Sequence, residues 1–232
     1  MTGRSNLVFW FRWVLANVVA EVLGLGAAAA AGLLLLSELG DPGDWGAVVG
    51  LAVVMVMFGS FEGVLVGIGQ RWAMRSWFDE LPWGYWIAAT GGGAFVAWTF
   101  GMVPSTLMSL GAEAAQAFAP DMPDALQLLL AIPLGAVAGA LLAFPQFLVL
   151  RRYLERAGRW IAANAAAWAL GMPLVFLSAG GMPPGLSPTV AAVRVLGTIA
   201  AAGAVVGAVH GWALVRMVGS RLTLGAEVAG PA

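Results

Sequence analysis

Two stretches of the chain, Leu81–Ala112 and Ile161–Val193, contain no Asp, Glu, Lys or Arg. Each exceeds the roughly 20 apolar residues that a helix needs to cross a bilayer. A chain that cannot present charge over such lengths has no water-facing surface to offer there, so lipid must be its solvent. The composition agrees: charged residues make up 10% of the sequence, against about 25% in soluble domains. With 61% hydrophobic residues and a mean hydropathy of +0.89, the expected fold class is an all-α polytopic membrane protein.

Turn and loop signals divide the chain into six membrane helices. The first is expected over about Arg12–Leu36. It is expected to be a membrane helix and not a cleaved leader, because Arg12 and Glu21 interrupt the apolar run. Ser37–Trp45, with its glycines, proline and acids, is a loop. The second helix is expected over Gly46–Arg75, followed by the turn Ser76–Gly84. The third covers Tyr85–Leu110, with Pro104 as a kink. Gly111–Pro123 is the longest loop. The fourth helix spans Asp124–Arg151, the fifth Arg159–Ser178 and the sixth Thr189–Val218. Residues 219–232 then form a flexible tail on one single transmembrane domain, 1–232.

Arginine placement sets the orientation. Every basic residue is Arg. With both termini on one side, that side receives Arg4, Arg12, Arg71, Arg75, Arg151, Arg152, Arg156, Arg159, Arg216 and Arg221, leaving Arg194 toward the other. The acids Glu38, Asp41, Asp44, Glu113, Asp121 and Asp124 lie opposite. The positive-inside rule then places both termini in the cytoplasm. Rich Ala, Gly and Arg without Lys fits a GC-rich bacterial genome, so the expected location is the bacterial cytoplasmic (inner) membrane.

The helices repeat. The odd ones share Arg12-Trp13-x3-Asn17-x3-Glu21, Arg159-Trp160-x3-Asn164-x3-Trp168, and Trp86-x3-Thr90 followed, after four extra residues, by Trp98. Four residues are close to one helical turn, which keeps the face. The even ones share a small-x3-small pair, then a polar residue, then Arg: Gly63, Gly67, Gln70, Arg75; Gly139, Ala143, Gln146, Arg151; Gly203, Gly207, His210, Arg216. Three αα-hairpins of one orientation, over about 8–75, 84–152 and 159–218, predict a pseudo-threefold six-helix bundle.

The segments WTFGMVPSTLMSL (Trp98–Leu110) and RRYLERAGRWIAANAAAWALGMP (Arg151–Pro173) resemble a family of small bacterial integral membrane proteins to which no activity is assigned. The resemblance covers helices three to five best. It implies the topology and contributes no function.

Two constellations could carry chemistry. Asn17, Gln70, Gln146 and Asn164 each lie five residues inside an interfacial Arg (Arg12, Arg75, Arg151 and Arg159), and His210 lies six from Arg216. With Thr90 they form a polar layer roughly 8–9 Å below the surface at about 1.5 Å per residue. The layer has two readings: glue between helices through hydrogen bonds, or a polar vestibule. Arg152 belongs with the interfacial basic residues.

The second constellation is where the repeat departs from itself. Glu21 takes the slot of Trp98 and Trp168, and Glu62 that of Ala138 and Ala202. At about 1.5 Å per residue, Glu21 lies about 14 Å in from Arg12 and Glu62 about 20 Å in from Arg75. An ionisable group at such depth is costly and marks a functional site by default. Two carboxyls brought together in low dielectric would share a proton, as a relay or cation site requires. The plainer reading is a neutral Glu bonded to a carbonyl or to Ser60, or one that lines a lipid headgroup crevice.

His210, the single histidine, is expected to be a hydrogen-bonded packing residue; a ligand to one haem or chlorophyll-type centre is the alternative. The indoles near loop ends (Trp10, Trp13, Trp45, Trp72, Trp77, Trp83, Trp86, Trp160) are expected as interfacial anchors. No enzyme, cofactor or metal motif is present, and the net charge of −1 gives nucleic acid nothing to bind.

The leading expectation is a non-enzymatic transporter or channel for small solutes, protons or ions. The alternative is a structural or assembly subunit, touching lipid or pigment. The expected partners are the bilayer itself and a second copy or another membrane protein.

Overall fold

The computed structural model describes the backbone of residues 3–39, 44–110, 123–179 and 185–228, with side chains near some of these ends left out. Six helices occupy the described residues: α1 (Gly3–Leu39), α2 (Trp45–Met74), α3 (Trp83–Leu110), α4 (Asp124–Leu150), α5 (Arg159–Ala179) and α6 (Pro188–Val228). All six are long and apolar enough to cross a membrane. Helix is the answer the solvent demands, since lipid offers no partner to a free N–H or C=O. The bounds differ from expectation mainly at the ends. Helix α1 starts nine residues before Arg12, and α6 runs past Val218 to Val228. Most of the loops expected around Asp41, Gly111–Pro123 and Met182 lie outside the described residues, as do the side chains of Arg4, Pro104 and Arg221.

The helices form a ring in chain order. Each packs on its sequence neighbours, and α6 returns onto α1. Among the described residues no helix pair meets across the middle. Each helix exposes a stripe of apolar residues and buries an amide, imidazole or hydroxyl side chain alongside other apolar ones, unlike a soluble amphipathic helix, which exposes its polar face. On α1, Leu7, Phe11, Leu15, Val19 and Leu23 are exposed at a spacing of four, while Phe9, Trp13, Asn17 and Glu21 are buried at the same spacing.

One end of the ring carries the two turns between α2 and α3 and between α4 and α5. In both, the last helical carbonyls hold the turn. Phe78 N–H donates to Met74 O (3.0 Å) and Leu154 N–H to Leu150 O (2.9 Å), which tucks Phe78 and Leu154 under the bundle. Phe9 stacks on Trp77 at 3.6 Å, and Phe78 meets the edge of Tyr153 at 6.1 Å. These residues join Trp13, Met74, Trp86, Leu150, Trp160 and Leu214 in one apolar cluster, so this turn end is plugged.

Candidate functional site

Above the plug lies a belt of indoles and polar side chains, and almost every hydrogen-bonding group in it is used. Trp86 Nε1–H donates to Gln70 Oε1 (3.3 Å), Trp160 Nε1–H to Gln146 Oε1 (2.9 Å) and Trp13 Nε1–H to His210 Nδ1 (2.8 Å). Gln70 Nε2 donates to Asn17 Oδ1 (3.0 Å), and Gln146 Nε2 to Thr90 Oγ1 (2.9 Å) and to Gln70 Oε1 (3.2 Å). Asn17, Thr90 and Asn164 each bond the carbonyl four residues back, on Trp13, Trp86 and Trp160. All six members of the expected polar layer are therefore buried, and the indoles tie them together.

Those three indoles correct the sequence reading. Trp13, Trp86 and Trp160 are 0% exposed and belong to the core, not the membrane interface. An indole has one donor at the end of a large apolar body, so it can fill the ring and still satisfy an amide beyond it. His210 accepts at Nδ1 and packs between Trp13 and Trp160, each at 5.5 Å. Arg71, which the sequence assigns only to the arginine-rich side, does not reach the surface. It is buried, and donates from Nε to Leu81 O (2.8 Å) and from Nη2 to Asp79 O (3.4 Å), pinning the α2–α3 turn. The remaining interfacial arginines, Arg12, Arg75, Arg151, Arg152, Arg159 and Arg216, are exposed, and Arg75 and Arg216 lie over Trp72 and Trp212.

Further from the plug, one turn past Asn17 on α1 and two turns past Gln70 on α2, sit Glu21 and Glu62, 2% and 3% exposed. Glycines place them. A Cβ on Gly24 would fall 2.5 Å from Glu62 Cγ, and one on Gly203 would fall 3.0 Å from Glu21 Cγ. Helix α1 thus presses on α2 at one carboxylate, and α6 presses on α1 at the other. Gly24 lies one turn from Glu21 on α1 and abuts Glu62, so the two buried carboxyls are neighbours across the α1–α2 contact. Trp98 Nε1–H donates to Glu62 Oε2 (2.9 Å), whereas Glu21 Oε2 is buried without a hydrogen-bond partner. Ser60 bonds the carbonyl of Val56 instead of either acid.

Glu62 opens onto a cavity of about 260 Å³. Trp98, Leu134, Ala138, Leu142, Trp168 and Phe176 form much of its wall, which is otherwise almost wholly apolar. Its origin is visible in the helix stripes. At successive turns of α2, α4 and α6 the inward residues are Met74, Leu150 and Leu214, then Gln70, Gln146 and His210, then Val66, Leu142 and Val206, and finally Glu62, Ala138 and Ala202. The last layer is small on two helices, and the ring is left unfilled there. Trp98 and Trp168 were recognised in sequence only as the partners of Glu21 in the repeat; their lining role had no separate signal. Among the described residues no cluster of His, Asp and Glu suits a metal ion.

No protein-family model, curated protein or solved structure matches the chain.

Proposed function

We propose that this multi-pass membrane protein moves protons or small solutes by way of the Glu21–Glu62 pair, without catalysing a reaction. The observation that carries the reading is a pair of buried, neighbouring carboxyls within apolar helices, one of which lines a cavity. Holding two acids there is costly, and a hydrophobic pair would pack with less penalty. Arginine distribution supports an orientation with both termini in the cytoplasm of a bacterial cell, so the plugged end would face inward and the cavity would lie toward the outer leaflet. The recurrent Trp–polar bonds support three hairpins in pseudo-threefold arrangement, with the first hairpin specialised to carry the acids.

The polar layer is better suited to glue than to a vestibule. Its donors and acceptors are committed to one another, so a permeant would have to displace them. That same observation favours a second reading, a structural or assembly subunit whose rigid ring packs on other membrane proteins.

Flux in proteoliposomes separates the two. Proton-coupled solute uptake should occur with the wild type and fall at least tenfold in Glu21→Gln and Glu62→Gln. Absence of flux in the folded wild type, for protons and for solutes alike, would sink the transport reading and favour the assembly role.

A further inference from the structure

We infer that the cavity beside Glu62 binds a small lipophilic monocation, an ammonium group attached to a compact apolar body. The inference rests on the Glu21–Glu62 pair being the working site, and it names what that site takes.

Charge fixes the valence. Glu62 is the one acid among the residues that line the cavity, and one bound positive charge neutralises one carboxylate in a low-dielectric setting. A divalent ligand would leave an uncompensated charge at membrane depth. The acceptor inventory fixes the kind of cation. Glu62 is the one carboxyl on the cavity wall and its Oε2 already receives Trp98 Nε1–H, so the acceptor capacity beside the cavity is small. Hard metal ions require several oxygen ligands, six to eight for calcium, to replace their water. The wall here is nearly all carbon. An ammonium group needs only a few acceptors, and its organic body takes value from the apolar wall.

Shape fixes the size. A volume of about 260 Å³ lies just below the roughly 300–1,000 Å³ of drug-sized sites, which suits a single ring with a short amine arm. Trp98, Trp168 and Phe176 line the cavity and offer faces to such a ring and to the cation. Binding and proton exchange are linked at one pair: loading the ammonium favours the charged pair, and returning a proton favours release.

The test is equilibrium binding of radiolabelled 2-phenylethylamine to the purified full-length protein in lipid nanodiscs, with empty nanodiscs as background. The uncharged 2-phenylethanol and sodium ion serve as comparisons. Saturable amine binding at one per chain is expected, at least tenfold tighter than 2-phenylethanol, and unmoved by sodium. Glu62→Gln should weaken the amine at least tenfold. Ala138→Leu fills the cavity from α4 without touching either acid and should abolish binding while the unliganded protein melts as before. Equal binding of amine and alcohol, or an unchanged affinity in Glu62→Gln or Ala138→Leu, overturns the inference, as does no saturable binding by the folded wild type. Amine binding without flux would retain the inference and remove the transport reading; proton flux without amine binding would do the reverse.

Discussion

Gln146 links four helices with one side chain. Its amide nitrogen serves Thr90 on α3 and Gln70 on α2, and its oxygen receives Trp160 of α5. Replacing it by Leu keeps the volume but leaves a buried indole N–H without an acceptor. A destabilisation of about 1–3 kcal/mol is expected, read as a lower thermal or denaturant midpoint. Thr99→Ala on the exposed face of α3, where the hydroxyl bonds only its own helix, should be nearly neutral. Glu21 behaves oppositely. With one buried oxygen unpartnered it costs stability, and Glu21→Gln should leave stability unchanged or raise it by about 1 kcal/mol as it removes flux. Loss of several kcal/mol would make Glu21 a structural residue. The polar layer and both acids were legible in sequence because amides and carboxyls inside apolar runs stand out. The indoles were not. A Trp near a helix end carries the same local signal whether it faces headgroups or a plug, and only the partner across the ring decides.

At the scale of helices, close approach is set by where a Cβ is missing. A Cβ on Gly139 would sit 2.4 Å from Asn164 O, and one on Gly135 would sit 2.2 Å from Trp168 O. These clashes are with backbone, which cannot swing aside, so Gly139→Ala must push α4 from α5. The expected cost is about 1–3 kcal/mol, as for other overpacked contacts. At Gly92 nothing lies within 4 Å of the added atom, and Gly92→Ala should be neutral or slightly stabilising. Unfolding midpoints of the two variants in one detergent check the contrast. The small-x3-small spacing announced close packing, but not the partner. Counted inward from Arg12 and Arg75, Glu21 and Glu62 fall at different levels. Helix α1 extends well beyond Arg12, so that arginine does not mark where the helix begins. Register is fixed instead by Gly24 against Glu62.

The whole molecule is a closed ring, and closure depends on the contact between the first and last helices. Hairpin partners are dictated by short turns, whereas nothing local in the sequence brings α1 to α6. Their seam is built from Trp13 bonded to His210, Gly211 against the Trp13 ring, Gly207 against Val14 and Gly203 against Val18 and Glu21. It also seats one acid of the pair, so the site exists only when the ring closes. The chain has no cysteine, which makes the seam testable with one introduced pair. A Cβ on Gly203 would lie 3.1 Å from Val18 Cα, which puts the two Cα atoms near the short end of the roughly 4.4–6.8 Å that a disulfide spans. Val18→Cys with Gly203→Cys should crosslink in membranes under mild oxidation and run as a compact species on a non-reducing gel. Val19→Cys with Gly203→Cys should not, since Val19 is exposed on the opposite face of α1. Crosslinking of both pairs alike would mean that α1 and α6 meet only by collision. Crosslinking of the first alone would establish the seam, and flux measured before and after reduction would then tell whether α1 must leave α6 for the carboxyl pair to work.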